Sequence, residues 1–260
     1  MTPGLLIRAR RDADVLVLCY HALSPSWEAE LSVTPAAFER QLAHLIGRGW
    51  RPAAFTEAIL NPPAPRTLAI TFDDAFASVK VHAVPILSHF GAPATVFAPT
   101  AYLSGGASLS WPGIDRWQGT RHAGELAAMD WSDLGELMEI GWEIGSHTCT
   151  HPHLTRLDDQ ALELELSDSR EECTRRLGIP CNTIAYPYGD VDERVAAAAR
   201  RVGYLSGAML SRGLQHVGPY HHPRVGIYHD DVWWRFRVKA ARPVRDLRAS
   251  KHWSLGRGPS

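Results

Sequence analysis

Short apolar runs rich in β-formers alternate along the chain with longer stretches whose apolar positions recur every three or four residues. That pattern builds a parallel sheet or barrel from strand and helix units. The first run is Val15 to Tyr20. Thr34-Pro35 then supplies an N-cap and a first-turn proline, and Phe38, Leu42, Leu45 and Ile46 share one helical face until Gly47 and Gly49 stop it. Thr67 to Phe72 reads as a strand, Val79 to Phe90 as a helix, and Ala94 to Ala98 as the next strand. Between Pro99 and Asp130 the period fails. Gly105, Gly106, Gly113, Gly119 and Gly124, with Trp111 and Trp117 among them, mark a long loop, and a loop of that length in a compact domain is usually a functional surface.

Periodicity resumes with a helix over Trp131 to Ile140, a strand over Trp142 to Ser146, and a helix over Asp158 to Leu177 closed by Gly178 and Pro180. Leu162, Leu166, Cys173 and Leu177 form its expected buried stripe. Thr183 to Tyr186, Tyr204 to Leu210 and Arg224 to Tyr228 complete the strands, with helices over Asp192 to Val202 and Val232 to Ala240. Seven or so strands with intervening helices predict an α/β fold, an irregular (β/α) barrel. One domain is expected over residues 15–240, between an amino-terminal extension (1–14) and a basic carboxyl-terminal tail (241–260).

Composition adds little to this. The 260 residues are 45% hydrophobic, enough for a packed core, and the formal charge of −1 is scattered apart from the mildly basic end from Arg235 through Arg257. Nothing asks for nucleic acid or a membrane surface. The stretch Met1 to Arg11 is too short and too polar for a secretion signal, and no apolar run approaches the roughly 18 residues that span a bilayer, so a cytoplasmic chain is expected. Oligomeric state is not legible. The four cysteines, Cys19, Cys149, Cys173 and Cys181, are expected to stay reduced in a chain with a core of this size.

Barrel folds carry their chemistry on the loops after the carboxyl ends of the strands, and the polar motifs fall there. Asp73 and Asp74 follow the strand ending at Phe72, His147 to His151 follow the one ending at Ser146, and Pro187-Tyr188-Gly189 follow Tyr186. Asp74, His147 and His151 make a set of imidazole and carboxylate donors suited to one divalent metal, zinc first, with cobalt, manganese or nickel as alternatives. Three protein ligands leave a position for water, which then loses a proton near neutral pH, and Asp73 is the candidate base for its attack on a carbonyl. Cys149 sits at an odd offset from both histidines and is expected to point away, and His153 to pack or lie outside the ligand shell. Taken alone, histidines spaced by four can share a helix face and a strand-end Asp pair can be a turn or cap.

These residues resemble the polysaccharide deacetylase family, the carbohydrate esterase family 4 enzymes that remove acetyl groups from N-acetylated sugars. Val17-Leu18-Cys19-Tyr20-His21 resembles the opening strand of one branch, Phe38 to Leu42 its first helix, and Ile70-Thr71-Phe72-Asp73-Asp74 its first catalytic motif. Pro85 to Leu87 with Ala94 to Phe97 resembles the next helix and strand, Gly145 to Leu154 the metal motif, and Ala185-Tyr186-Pro187-Tyr188-Gly189 the third motif. The resemblance implies a distorted (β/α) barrel of seven strands, with Asp73 as base, Asp74, His147 and His151 as metal ligands, and the Tyr188 backbone amide as donor to the oxyanion. The substrate it implies is an N-acetylated saccharide or conjugate.

Three departures stand out. Ala75 replaces the glycine that many members carry after the Asp pair, so the turn is expected to use backbone angles open to a residue with a side chain. Ala185 stands where many members place an arginine that holds the base, and Arg224 is the candidate replacement. No clean copy of the late Leu-x-x-His motif supplies the general acid; His222 leads, with His229 and His21 as alternatives. Competing functions are ester hydrolysis by the same chemistry and a saccharide-binding barrel without catalysis. Trp111 and Trp117 could stack on sugar rings or simply pack the loop.

Overall fold

The computed structural model describes residues 13–210 and 218–248. Most of the expected amino-terminal extension, through residue 12, and residues 249–260 of the basic tail lie outside that range.

Seven parallel strands close a barrel: β1 (Asp14–Tyr20), β5 (Arg66–Phe72), β6 (Thr95–Ala98), β7 (Glu143–Ser146), β8 (Thr183–Ala185), β9 (Ser206–Leu210) and β10 (His222–Gly226). Closure is by β1, which pairs with β5 along its whole length, from Asp14 with Arg66 to Tyr20 with Phe72, and with β10 at Leu18–Val225 and Cys19–Gly226. The barrel is distorted: β7 and β8 share a single register pair, Ser146 with Ile184. A short strand β4 (Arg51–Ala53) adds to the start of β5, and β2 (Ala22–Leu23) pairs with β3 (Ser32–Val33) beyond the end of β1.

Alternation along the strands fills the interior with small residues and two rings. Val17, Ala69, Ala185 and Ala208 are buried together with Phe97 from β6 and Phe55, whose rings meet edge to face at 5.5 Å. Phe55 begins a six-residue helix (Phe55–Leu60) that closes the barrel end away from the strands' carboxyl termini. That helix and β4 are too short to show a period, so neither was predicted.

The outer helices follow their capping residues. Thr34 accepts from Ala37 N at 3.2 Å and opens α1 (Pro35–Ile46), which buries Phe38, Leu42 and Leu45. Asp158 caps the helix Asp159–Leu177, which ends at Gly178 in the left-handed region (φ 72). Its buried face is Leu162, Leu166, Ser169 and Cys173, while Leu177 is only half-buried. The segment 99–130 is not an open loop. It carries three single turns of 3₁₀ helix, bridges Phe76 through Ala128, and buries Leu103, Leu109, Ile114, Leu126 and Met129, forming one wall of the barrel mouth. A last helix, Arg242–Arg248, anchors part of the predicted tail, with Arg245 donating to Asp14 Oδ1 at 2.6 Å.

Candidate active site

Asp73 follows the last residue of β5, and its backbone N–H donates to Tyr20 O at 3.0 Å, continuing the β1–β5 ladder to the barrel mouth. The turn after it is unusual. Asp74 (φ 69) and Ala75 (φ 54) both sit in the left-handed region, which costs a residue with a Cβ roughly 1–2 kcal/mol. The expectation that Ala75 would escape such angles is therefore corrected; burial of its methyl and the Met129 N to Ala75 O bond (2.8 Å) hold it there. Thr148 (φ 68), His151 (φ 63) and Tyr188 (φ 60) are left-handed too, and these five left-handed non-glycine residues among the described residues all lie at this mouth.

The loop after β7 is wired at each step. Ser146 Oγ accepts from Thr148 N (3.0 Å), Thr148 Oγ1 accepts from His151 N (3.1 Å), and the Glu165 carboxylate accepts from Cys149 N and Thr150 N. The two left-handed residues curl the chain so that His147 and His151 face one centre, although no helix joins them. Asp74 Oδ1 lies 3.3 Å from His147 Nε2 and 3.4 Å from His151 Nε2, and all three groups are buried. These contacts lack hydrogen-bond alignment, and Asp74 Oδ1 accepts no hydrogen bond among the described residues. A cation about 2.0–2.1 Å from each of three tetrahedral donors would space them about 3.3 Å apart. Donor types, spacing and the orphaned oxygen therefore fit one divalent cation.

Charge in the site is tightly managed. Burial pushes the Asp74 carboxyl up, but the His147, His151 and His21 imidazoles more than offset it and leave it below its ordinary range. His147 donates Nδ1–H to Ala185 O at 2.7 Å, which turns Nε2 toward the centre. His151 is pressed down to about 3 by burial, so its ring is neutral, the state that can donate a lone pair. Trp111 stacks on that ring at 4.1 Å and Tyr188 meets it edge-on at 4.6 Å.

Arg224 is fully buried and grips Asp73 with both ends of its fork, Nη1 to Oδ1 at 2.6 Å and Nη2 to Oδ2 at 2.7 Å. Burial would raise the Asp73 carboxyl, and the guanidinium overrides it, holding the acid well below the usual carboxylate range. The arginine reaches there because it is the middle residue of β10 and lies over Phe97, in the interior cluster to which Ala185 belongs. A small residue at 185 is compatible with an arginine arriving from another strand. Two further groups complete the support: Thr71 Oγ1 accepts from Arg224 Nη1 (3.1 Å), and the Cys19 thiol donates to Asp73 Oδ2 (3.4 Å). The sequence offered one signal for them. Each lies two residues before a mouth residue, His21 or Asp73, and so on the same face of its strand.

A cavity of about 270 Å3 joins these groups, lined by His21, Asp73, Asp74, His147, His151 and Tyr188, with Trp27, Trp117 and Tyr228 at its sides. His21 is buried, its Nδ1 has no hydrogen-bond partner among the described residues, and its ring stacks on Tyr228 at 6.2 Å. His222 is not in this cavity. It lies two residues before Arg224 on the same face of β10, about 6–7 Å further from the mouth, against Phe55, and lines a separate hollow with Ala13 and Asp14 at the opposite end. His222 as the acid is therefore corrected, because the strand begins two residues earlier than Arg224. His229 is exposed in a neighbouring hollow. Cys149 turns its sulfur to Glu165 O (3.7 Å), away from the ligands, and His153 lies flat on Tyr188 at 4.0 Å.

A family model described as polysaccharide deacetylase matches residues 61–207, more than half of the chain and both halves of this site. The chain belongs to the polysaccharide deacetylase family. Among relatives, YxkH of Bacillus subtilis (strain 168), whose name refers it to the same family, is 26% identical over 212 residues, covering 80% of this chain and 68% of YxkH. The fold matches a solved Streptococcus pyogenes deacetylase, PplD, in complex with acetate (TM-score 0.70, 23% identity, 87% of this chain and 98% of that one). It also matches a de-N-acetylase from Aggregatibacter actinomycetemcomitans (TM-score 0.71, 16% identity, 86% and 99%). As a polysaccharide deacetylase, the protein is a hydrolase that removes acetyl groups from a carbohydrate.

Proposed function

We propose that this polysaccharide deacetylase hydrolyses the N-acetyl amide of an acetylated amino sugar, with one divalent cation held by Asp74, His147 and His151 and zinc as the first candidate. The chemistry such a cation supplies when bound is Lewis acidity, which lowers the pKa of water and polarises a carbonyl. Asp73 takes the proton of the attacking water; Arg224 keeps it ionised and fixes both of its oxygens. The Tyr188 backbone N–H, on a residue locked at φ 60, is the donor for the oxyanion that develops on the acetyl group. His21, which lines the cavity and is not one of the three ligands, passes to the leaving amine the proton that Asp73 takes from the water, since an amine leaves only with a proton; burial lowers its pKa, so the ring rests neutral and acts as a relay.

The observation that carries this reading is the Asp73–Arg224 fork set beside a three-donor centre. A barrel that only bound sugar would have no use for a buried, ionised carboxylate there. Acetate release from N-acetylglucosamine oligomers and from an aryl acetate tests it, with and without added zinc. Release from the oligomers that a chelator abolishes is expected. Release from the aryl ester alone would reassign the enzyme to esters, and release from neither by the zinc-loaded protein would end the catalytic reading.

A further inference from the structure

Just below the barrel mouth a sulfur joins nitrogen and oxygen donors. The Cys19 sulfur, a ring nitrogen of His21 and a carboxylate oxygen of Asp73 all lie within 4.8 Å of one another, and all three residues are buried. Cys19 in β1 and His21 just past its end share one face, and the register of Cys19 with Thr71 and Tyr20 with Phe72 carries Asp73 alongside them. His21, with 7% of its surface in solvent, has no hydrogen-bond partner for Nδ1 among the described residues, a costly state for a buried ring that a cation among these donors would relieve. The Arg224 fork meets each Asp73 oxygen once, so Oδ2 keeps a second lone pair, the one that the Cys19 thiol meets at 3.4 Å.

Sulfur sets this cluster apart from Asp74, His147 and His151, which offer only nitrogen and oxygen. Burial holds the Cys19 thiol protonated, and a coordinating cation displaces that proton to solvent as the sulfur–metal bond forms. The thiolate and Asp73 then outweigh the single positive charge of Arg224, so the cluster attracts a cation despite the guanidinium beside it. We propose that Cys19, His21 and Asp73 form a second cation site, for a soft, thiolate-seeking divalent ion such as cadmium, and that an ion there stops the enzyme. Binding stands on the three donors alone. Inhibition rests on the amide reading above, since the ion takes the base Asp73 and the relay His21 out of use. His147 Nε2 lies 4.0 Å from Asp73 Oδ2, so the two centres adjoin, and repulsion between their ions makes the sulfur site fill after the first.

Titration of the zinc-loaded full chain with cadmium tests this, following together the acetate released from N-acetylglucosamine oligomers and the ultraviolet charge-transfer band of a cadmium–thiolate bond. The band is expected to grow in step with the loss of activity. Cadmium that merely replaced zinc at the first centre would give no such band, because no sulfur belongs to that centre. Cys19→Ser keeps a donor to Asp73 and removes the soft ligand. Measured against its own zinc-loaded rate, it should lose the band and need at least about tenfold more cadmium for half-inhibition. Cys149→Ser, whose native thiol faces Glu165 O, should behave as the wild type. A band of undiminished strength in Cys19→Ser, or equal cadmium sensitivity in Cys19→Ser and the wild type, would overturn the site. Hydrolysis that cadmium leaves untouched would overturn it too and spare the amide reading. If the band depends on Cys19 while no acetylated sugar is hydrolysed at any zinc loading, the amide reading fails and the cation site stands.

Discussion

Arg224 and Asp73 illustrate why a buried ion pair cannot be judged by one partner. The pair is removed from water on both sides, so deleting the arginine leaves a carboxylate with no compensation, a loss of about 3–5 kcal/mol unless it takes up a proton. Arg224→Met should therefore lower the urea midpoint and cut acetate release at least a hundredfold, and Arg224→Lys should recover some stability but little rate, because an ammonium cannot make the two-pronged grip. Full activity in Arg224→Met would remove Asp73 as the base. The two histidines on either side of Arg224 in space separate just as cleanly. His21→Ala should reduce kcat on the order of a hundredfold, while His222→Ala, seated at the far end of the barrel, should leave it near the wild-type value; the reverse order would return the role of acid to His222.

Elements position these side chains through contacts with little slack. Gly145 on β7 is two residues before His147, and a methyl added to it would meet Phe97 and Thr183 at 2.7 Å. Gly145→Ala is expected to cost about 1–3 kcal/mol in chemical unfolding and to reduce activity with it; an unchanged unfolding curve would mean that the interior is looser than its packing implies. The long helices and the apolar strands were legible in the sequence because each runs far enough to show its period, and Asp73, Asp74, His147 and His151 were legible because they stand at strand ends. Other parts left no such trace. The expected strand starts at Arg224, whereas pairing with Ala208 to Leu210 begins at His222 and runs through Pro223, a residue type disfavoured inside strands. The curl of the histidine loop depends on left-handed Thr148 and His151, residue types that give no warning of that backbone. Cys19 and Thr71 carry only the faint signal of lying two residues before His21 and Asp73 within apolar runs, and closure of the barrel shows what they hold.

The molecule as a whole divides into a chemical end and a structural end, and pH should act on them differently. His222, packed at the structural end, is lowered from 6.5 to about 4 by burial and by the nearby Arg224 and Arg245. The folded state thus disfavours its protonation. Its contribution is complete above pH 6.5 and is lost as pH falls toward 4, where the unfolded chain already binds the proton. Because the ring is only half-buried by surface area, the effect is on the order of 2 kcal/mol. His222→Leu should flatten the unfolding free energy across that window; an unaltered slope would assign the acid sensitivity to other groups. At the chemical end everything depends on whether three side chains from two distant loops hold one ion. Anomalous diffraction at the zinc edge, from crystals grown with zinc, measures this directly. One peak about 2.0–2.2 Å from a carboxylate oxygen of Asp74 and from Nε2 of His147 and His151 is the predicted result, and a zinc ion bound elsewhere, or none at this centre at saturating zinc, would contradict it.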